Sequence, residues 1–365
     1  MSYPFIDKVL FKNTINELGK EYELKNIKKH DKSINYLSYI PFYLKTINSS
    51  SYKTFSFKRF NGFAIKIEKF SSLETFMSEQ FGAKSRSKIR SNIKRLETCF
   101  DIKYKMYFGS ITKQEYDFLF FELKKMIERR FSQRGDEHQA IKDWELYEQS
   151  LFSLIRNKKA SFFVIYNQET PIDICVNYLY QDIVIDYIRA YDIDYAKFRL
   201  GYIDIAKQLE WCFKNNYKIF DLGHGDLRYK RQWCNNIYKC ENQITFNNKY
   251  FPNIIFGNLI AFMYLIKSNY FNKNDLEIQD TTKRNSVSSK KNIIITNNQK
   301  EDVIKDTYKL IKLKNEDYSF LRKIVYDTLY IKKIHLSEIN IYEMEKKVTY
   351  FLKDKSGITK IHFLK

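Results

Sequence analysis

Residues 161–222 limit the fold more tightly than any other stretch of the chain. Residues 161–166 read as a strand, 167–170 as a turn, and 172–180 as a second strand with alternating apolar positions. Gln181-Asp182 turns the chain into 183–191, a third strand rich in β-branched and aromatic residues. The period then lengthens: Tyr202, Ile205, Ala206, Leu209, Cys212 and Phe213 mark the buried side of an amphipathic helix. Residues 219–222 return as a strand, and 237–246 offer one more. A helix between two strands of one sheet pairs them in parallel through a right-handed crossover. The run therefore specifies an α/β module and excludes an all-helical or all-β chain.

The flanks are expected to add a strand at 62–67 and helices at 72–97, 112–131 and 142–157. Within 84–97, Ile89, Ile93 and Leu96 share one face, while Arg86, Arg90 and Lys94 recur every fourth residue on another. Residues 254–266 predict a helix buried on the sheet, with an interfacial membrane helix as the sharper alternative. That run is too short to span a bilayer, which needs about 20 apolar residues. The polar stretch 271–300 reads as a linker, 301–352 as helical, and 358–364 as a final strand. The expected organisation is one module over 1–135, a second over 136–250, a packing helix over 251–270, the linker, and a mainly helical extension over 301–365. No internal repeat is visible in the letters.

Charge bears on partners. The 365 residues carry 63 Lys plus Arg against 43 Asp plus Glu, a net charge of +20 that attracts polyanions. Most of the excess is Lys in a chain rich in Asn, Ile, Tyr and Phe, the bias of AT-rich coding, which places Lys on solvated faces. Arg is more selective: 12 of 14 lie between Arg59 and Arg231, so an anion site is expected there. A hydrophobic fraction of 44% excludes disorder for most of the chain. Five scattered Cys with no CxxC pair argue for free thiols in a reducing cytoplasm, against a disulfide framework and against a zinc site. The opening MSYPFIDKVLFK mixes acid and base with apolar residues, unlike a signal peptide.

Two segments concentrate chemistry. Tyr191-Asp192-Ile193-Asp194-Tyr195 leads to Arg199-Leu200-Gly201-Tyr202 at a helix start, where unpaired N–H groups and the helix dipole favour a phosphate. Phe220-Asp221-Leu222-Gly223-His224-Gly225-Asp226 leads to Tyr229-Lys230-Arg231-Gln232-Trp233, a shaped turn at a strand end, where α/β folds put ligands. In order and spacing these elements resemble the CelD-like (cellulose-biosynthesis-protein-like) acyltransferases, a branch of the GNAT superfamily similar to the FemAB-type transferases. FGAKSRSKIRSNIKRL, starting at Phe81, is similar to that branch's basic helix, and the resemblance covers roughly 55–250. The chain departs from the family in having Arg199-Leu200 where Ser-Pro is common, and in lacking the fuller R/Q-x-x-G-x-G/A loop.

The resemblance implies a GNAT-like fold of two tandem modules with mixed sheets, the first degenerate and the site between them. It implies transfer of an acyl group, acetyl first, from acyl-CoA to an amine of a sugar or cell-envelope polysaccharide precursor, without a metal. Lys230 is the leading catalytic candidate, as a cation for the oxyanion or a donor phosphate. Asp192, His224 and Asp226 are candidate bases or orienting groups. Arg199, Leu200, Gly201 and Tyr202 are expected to bind the donor. Arg86, Arg90, Tyr191 and Tyr229 are expected on the acceptor side. Asp221 reads as a strand-end carboxylate bonded to local backbone. The expected location is the cytoplasm, with a peripheral place at the inner membrane face. Two alternatives remain open: FemAB-type transfer from aminoacyl-tRNA to a peptidoglycan precursor, and a non-catalytic basic protein that binds nucleic acid or a membrane surface.

Overall fold

The computed structural model describes residues 13–15, 21–23, 34–47, 51–135, 141, 144–274, 293–299, 304, 307–345 and 348–364. The MSYPFIDKVLFK opening and most of the expected linker lie outside the described residues. In chain order β1 (Asn13–Ile15), β2 (Glu21–Glu23), β3 (Ile34–Ile40) and β4 (Lys45–Ile47) precede the long β5 (Tyr52–Lys66). Next come α1 (Leu73–Gln80), α2 (Ala83–Cys99), β6 (Ile102–Tyr107), α3 (Lys113–Arg134) and α4 (Trp144–Arg156). The meander is β7 (Ala160–Asn167), β8 (Thr170–Tyr180) and β9 (Ile183–Tyr191). A 3-10 turn (Ile193–Phe198) leads into α5 (Leu200–Lys214), then β10 (Ile219–His224), α6 (Arg228–Trp233) and β11 (Asn236–Asn247). The remaining elements are α7 (Phe251–Asn274), β12 (Ile293–Gln299), β13 (Lys309–Ile311), α8 (Ser319–Lys332), β14 (Asn340–Glu345), β15 (Thr349–Asp354) and β16 (Gly357–Phe363).

The main sheet has the order β3-β11-β5-β10-β9-β8-β7-β6. It is mixed, as the crossover helix requires: β10 pairs with β9 in parallel and with β5 antiparallel. The expected helix at 72–97 is two helices. Phe81 is buried and Gly82 is extended (φ −61°, ψ 156°), which ends α1 and starts α2.

The chain divides into two compact units. The first comprises Met1–Phe76, Tyr178–Tyr187 and Cys212–Arg284. Its backbone is the antiparallel β5–β11 ladder, running from Ala64↔Asn236 to Tyr52↔Asn247. Gly62 is required there, because a Cβ would sit 2.1 Å from the Tyr238 ring. On this ladder α7 packs around Phe57, Ile244, Phe246 and Ala261. The expectation of a helix buried on the sheet holds for a narrow stripe only: Asn253, Gly257 and Ala261 are buried, while most of its large apolar side chains are exposed. Apolar residues surround this helix almost completely, so periodicity alone cannot say which side is covered.

The second unit comprises Met77–Asn177, Ile188–Trp211 and Asn285–Lys365. One core joins Leu96 and Phe100, Phe163 and Ile172, Phe198 and Leu200 to Leu321, Leu329, Tyr350 and Ile361. The expected mainly helical extension is corrected here. Residues 293–363 form an antiparallel sheet of order β12-β16-β15-β14-β13, with α8 its one α-helix among the described residues. Strand β12 lies in the stretch expected to be linker. Glu343 and Glu345 stand at alternate positions of β14, where pairing partners override helix propensity. Phe198 is fully buried in the shared core, so Phe198→Ala is expected to cost about 3–5 kcal/mol. Ile331→Ala, at a 65% exposed position, is expected to stay within about 0.5 kcal/mol, and chemical denaturation of the two variants checks the contrast.

Candidate active site

In the first unit the motif residues gather where β10 ends. The parallel register of β10 on β9 covers Ile219↔Ile183, Phe220↔Val184 and Asp221↔Ile185, and the β5 ladder slips between Asp221 and His224. Asp221 is fully buried. Its Oδ2 accepts from Tyr43 Oη at 2.6 Å and Tyr238 Oη at 2.8 Å, and its Oδ1 accepts from the Gly223 N–H at 2.8 Å. Burial raises its pKa, opposed by these donors and by the Lys230 ammonium. The local backbone bond expected of Asp221 is present, and two buried tyrosines from distant parts of the chain join it.

Lys230 and Trp233 are the buried residues of α6, three apart and so on one face. Trp233 stacks on Phe76, with centroids 6.4 Å apart, and anchors the helix. Lys230 is only 8% exposed, and its Nζ donates to the His224 carbonyl oxygen at 2.5 Å. The Tyr-Lys-x-x-Trp spacing thus holds an ammonium against the strand end. His224 is exposed as a residue, but its ring lies 4.2 Å from that of Tyr39. Partial withdrawal from water, then the Lys230 charge, lower its pKa to about 4, so the imidazole is neutral at pH 7. Asp226 is exposed and forms a two-pronged ion pair with Arg231, through Nε at 2.5 Å and a second nitrogen. That pairing staples the turn. Tyr229 is half-buried on α6.

In the second unit Asp192 has partners on both sides. It caps the 3-10 turn, accepting from the Asp194 N–H at 3.0 Å, and Arg129 binds Asp192 at 2.6 Å and Asp194 at 2.7 Å. Arg199 is left-handed (φ 59°) and exposed, with its guanidinium 5.9 Å from the Tyr202 ring centre. Leu200 is fully buried in the core, so its expected donor contact is limited to its backbone. Gly201 needs no positive φ, and an added Cβ would meet only Tyr191, at 4.0 Å. Packing therefore does not demand the glycine, although glycine weakens a helix. Tyr191 is half-buried, with the Arg130 guanidinium 4.6 Å from its ring centre.

Beneath that helix start runs a buried polar row that sequence reading missed. Asp173, Cys175 and Asn177 alternate on one face of β8, with Asp204 and Gln208 on α5. The Cys175 thiol lies 3.4 Å from both Asp173 and Asp204, Arg189 pairs with Asp204, and Arg189 also donates to the Gly201 carbonyl at 3.2 Å. Burial and the Asp204 charge raise the Asp173 pKa. Asp173, Cys175 and Asp204 place ligand atoms within 4.8 Å of one another, but with Arg189 on one carboxylate and the other driven towards its neutral form, they do not suit a metal ion. The signal was legible: a polar residue at every second position of an otherwise apolar strand.

Among the acceptor candidates Arg86 has local backbone partners. Its guanidinium donates to the Ser78 and Phe81 carbonyls, both at 2.9 Å, closing the C-terminus of α1. Arg90 is exposed on α2.

Two titrations test these assignments. The folded pKa of His224 lies below its ordinary value, so its contribution to stability is present above about pH 6.5 and lost as pH falls towards about 4. His224→Gln is expected to flatten thermal stability across that window. Asp173 has the opposite sign: the native state keeps its proton longer, so stability falls as pH rises above about 4. Asp173→Asn is expected to gain melting temperature over wild type at pH 8 relative to pH 4.5, and an equal difference at both pH values would refute the assignment.

Comparison with known proteins finds a likeness in the central stretch. Residues 83–231 match the family described as an acetyltransferase (GNAT) domain. Similar solved structures include FemX, with 12% identity over 57% of this chain and 68% of that one, TM-score 0.41. A C-terminal domain assigned to a lysylphosphatidylglycerol synthetase of Agrobacterium fabrum has 10% identity over 52% of this chain, TM-score 0.37, and the present chain spans 61% of its length. L-PGS from Bacillus licheniformis has 14% identity over 58% of this chain and 67% of that one, TM-score 0.34. No curated protein matches the chain. The acetyltransferase (GNAT) match is confined to residues 83–231, in a chain whose large mixed sheet has the α/β form that the motif resemblance implied.

Proposed function

We propose that the chain is an N-acyltransferase of the CelD-like branch, moving an acyl group, acetyl first, from acyl-CoA to an amine of a sugar or cell-envelope polysaccharide precursor. The observation that carries this reading is the acetyltransferase match over 83–231, which contains both the Arg199–Tyr202 helix start and the Lys230 turn. The helix start supplies backbone N–H groups, an exposed guanidinium and a glycine that packing does not require. That combination suits the phosphates of a nucleotide thioester donor.

The chemistry is direct attack. The neutral amine nitrogen bonds to the thioester carbon, and the carbonyl electrons move to oxygen. The tetrahedral intermediate collapses, the C–S bond breaks, and the thiolate takes up the proton the amine loses. The Lys230 ammonium is assigned to the developing oxyanion. The Lys230 ammonium in turn opposes the rise that burial imposes on the pKa of Asp221. With a pKa of about 4, His224 is too weak to deprotonate an ammonium, so its role is to accept a hydrogen bond from the amine and orient it.

Lys230→Ala is expected to lower turnover about a hundredfold, by loss of oxyanion stabilisation. A steady-state assay of thiol release with a panel of amino sugars measures it, and undiminished turnover removes Lys230 from the site. Acyl-CoA at millimolar concentration is expected to raise the melting temperature by mass action. Gly201→Val is expected to abolish that shift without lowering the melting temperature of the ligand-free protein. A shift with aminoacyl-tRNA and none with acyl-CoA would instead support the peptidoglycan-precursor reading.

A further inference from the structure

Helix α7 presents its packing surface the wrong way round for a helix that serves only its own domain. The side on the sheet is made of small residues: Gly257 fits because a Cβ would stand 2.3 Å from the Phe246 ring, and Ala261 is buried beside it. The opposite side carries Ile255, Leu259, Phe262 and Ile266, flanked by Phe256 and Met263, each more than half exposed. At 100° per residue, 255, 259, 262 and 266 lie across the helix from 253, 257 and 261. A contiguous apolar stripe of that length on a water-facing surface marks a binding face.

Charge selects the occupant. From Asn242 to Asn274 the sequence contains no Asp or Glu, and its charged residues are Lys249, Lys267 and Lys273. Lys249 is exposed just before the helix, and Lys53 bonds to Asn258 on its flank at 3.0 Å. Two copies of this face brought together would set lysines against lysines, with no carboxylate on the helix to pair them. An anionic headgroup layer supplies the missing charge, and its acyl boundary covers the stripe. No described helix is long and apolar enough to cross a membrane, so α7 would lie in the interface plane.

We propose that the outward face of α7 is a membrane-docking surface, seated on an anionic bilayer through Ile255, Phe256, Leu259, Phe262, Met263 and Ile266. This does not rest on the acyl-transfer reading, and the two fail separately.

The test is co-sedimentation of the full chain with vesicles of phosphatidylcholine alone or with about 30% phosphatidylglycerol. Binding is expected to be at least about tenfold tighter on the anionic vesicles and to weaken between about 50 mM and about 300 mM salt. Ile255→Ser with Phe262→Ser is expected to lose about tenfold in binding while the melting temperature stays unchanged, since both positions face outward. As a second readout, Phe262→Trp is expected to show a blue-shifted emission maximum on the anionic vesicles. Wild-type protein that stays in the supernatant, serine variants that bind as wild type, or an unshifted emission maximum for Phe262→Trp would each overturn the proposal. So would a dimer in sedimentation equilibrium that the serine variants dissolve, which would assign the face to a second copy.

Discussion

A carboxylate shut away from water sets the geometry at the end of β10. Burying Asp221 is costly unless its oxygens are paired, and each partner it recruits fixes another piece of chain. Tyr43 comes from the turn after β3 and Tyr238 from β11, and the close approach of Tyr238 is possible because Gly62 has no side chain. The third partner is the Gly223 N–H, with Gly223 left-handed at φ 71°. That backbone reversal opens the turn whose His224 carbonyl receives the Lys230 ammonium. One desolvation constraint thus orders the residues around the lysine.

How much of this could be read from the letters depends on whether a residue's meaning is local. The meander and crossover helix were legible because their apolar periods are set by one buried face. The Tyr-Lys-x-x-Trp element was legible as spacing, and the structure gives its reason in the shared face of α6. Asp192, Asp226 and Arg86 were only partly legible, because their partners, Arg129, Arg231 and the end of α1, are invisible until the chain is folded. The tyrosines on Asp221 are two among 29 and carry no mark in the sequence. The C-terminal strands misled for a different reason, since strand pairing is a property of neighbours in space and the Lys-rich letters favour helix only in isolation.

The polar row under α5 shows how the helix start at Gly201 is held. Arg189 bridges Asp204 to the Gly201 carbonyl, and Cys175 connects Asp204 to Asp173. Every member is buried or half-buried, so electrostatic interactions along the row are stronger than they would be in water. Changes at Asp173 would therefore reach the Gly201 turn through the intervening groups, although Asp173 lies on β8.

The second unit draws on three separated stretches, and Leu96, Phe198 and Ile361 share its interior. During synthesis the segment carrying Leu96 leaves the ribosome long before Ile361. Until β16 arrives, the apolar face of α2 and the aromatic residues of the 3-10 turn lack part of their cover. Contacts of such high sequence separation slow the closure of a core.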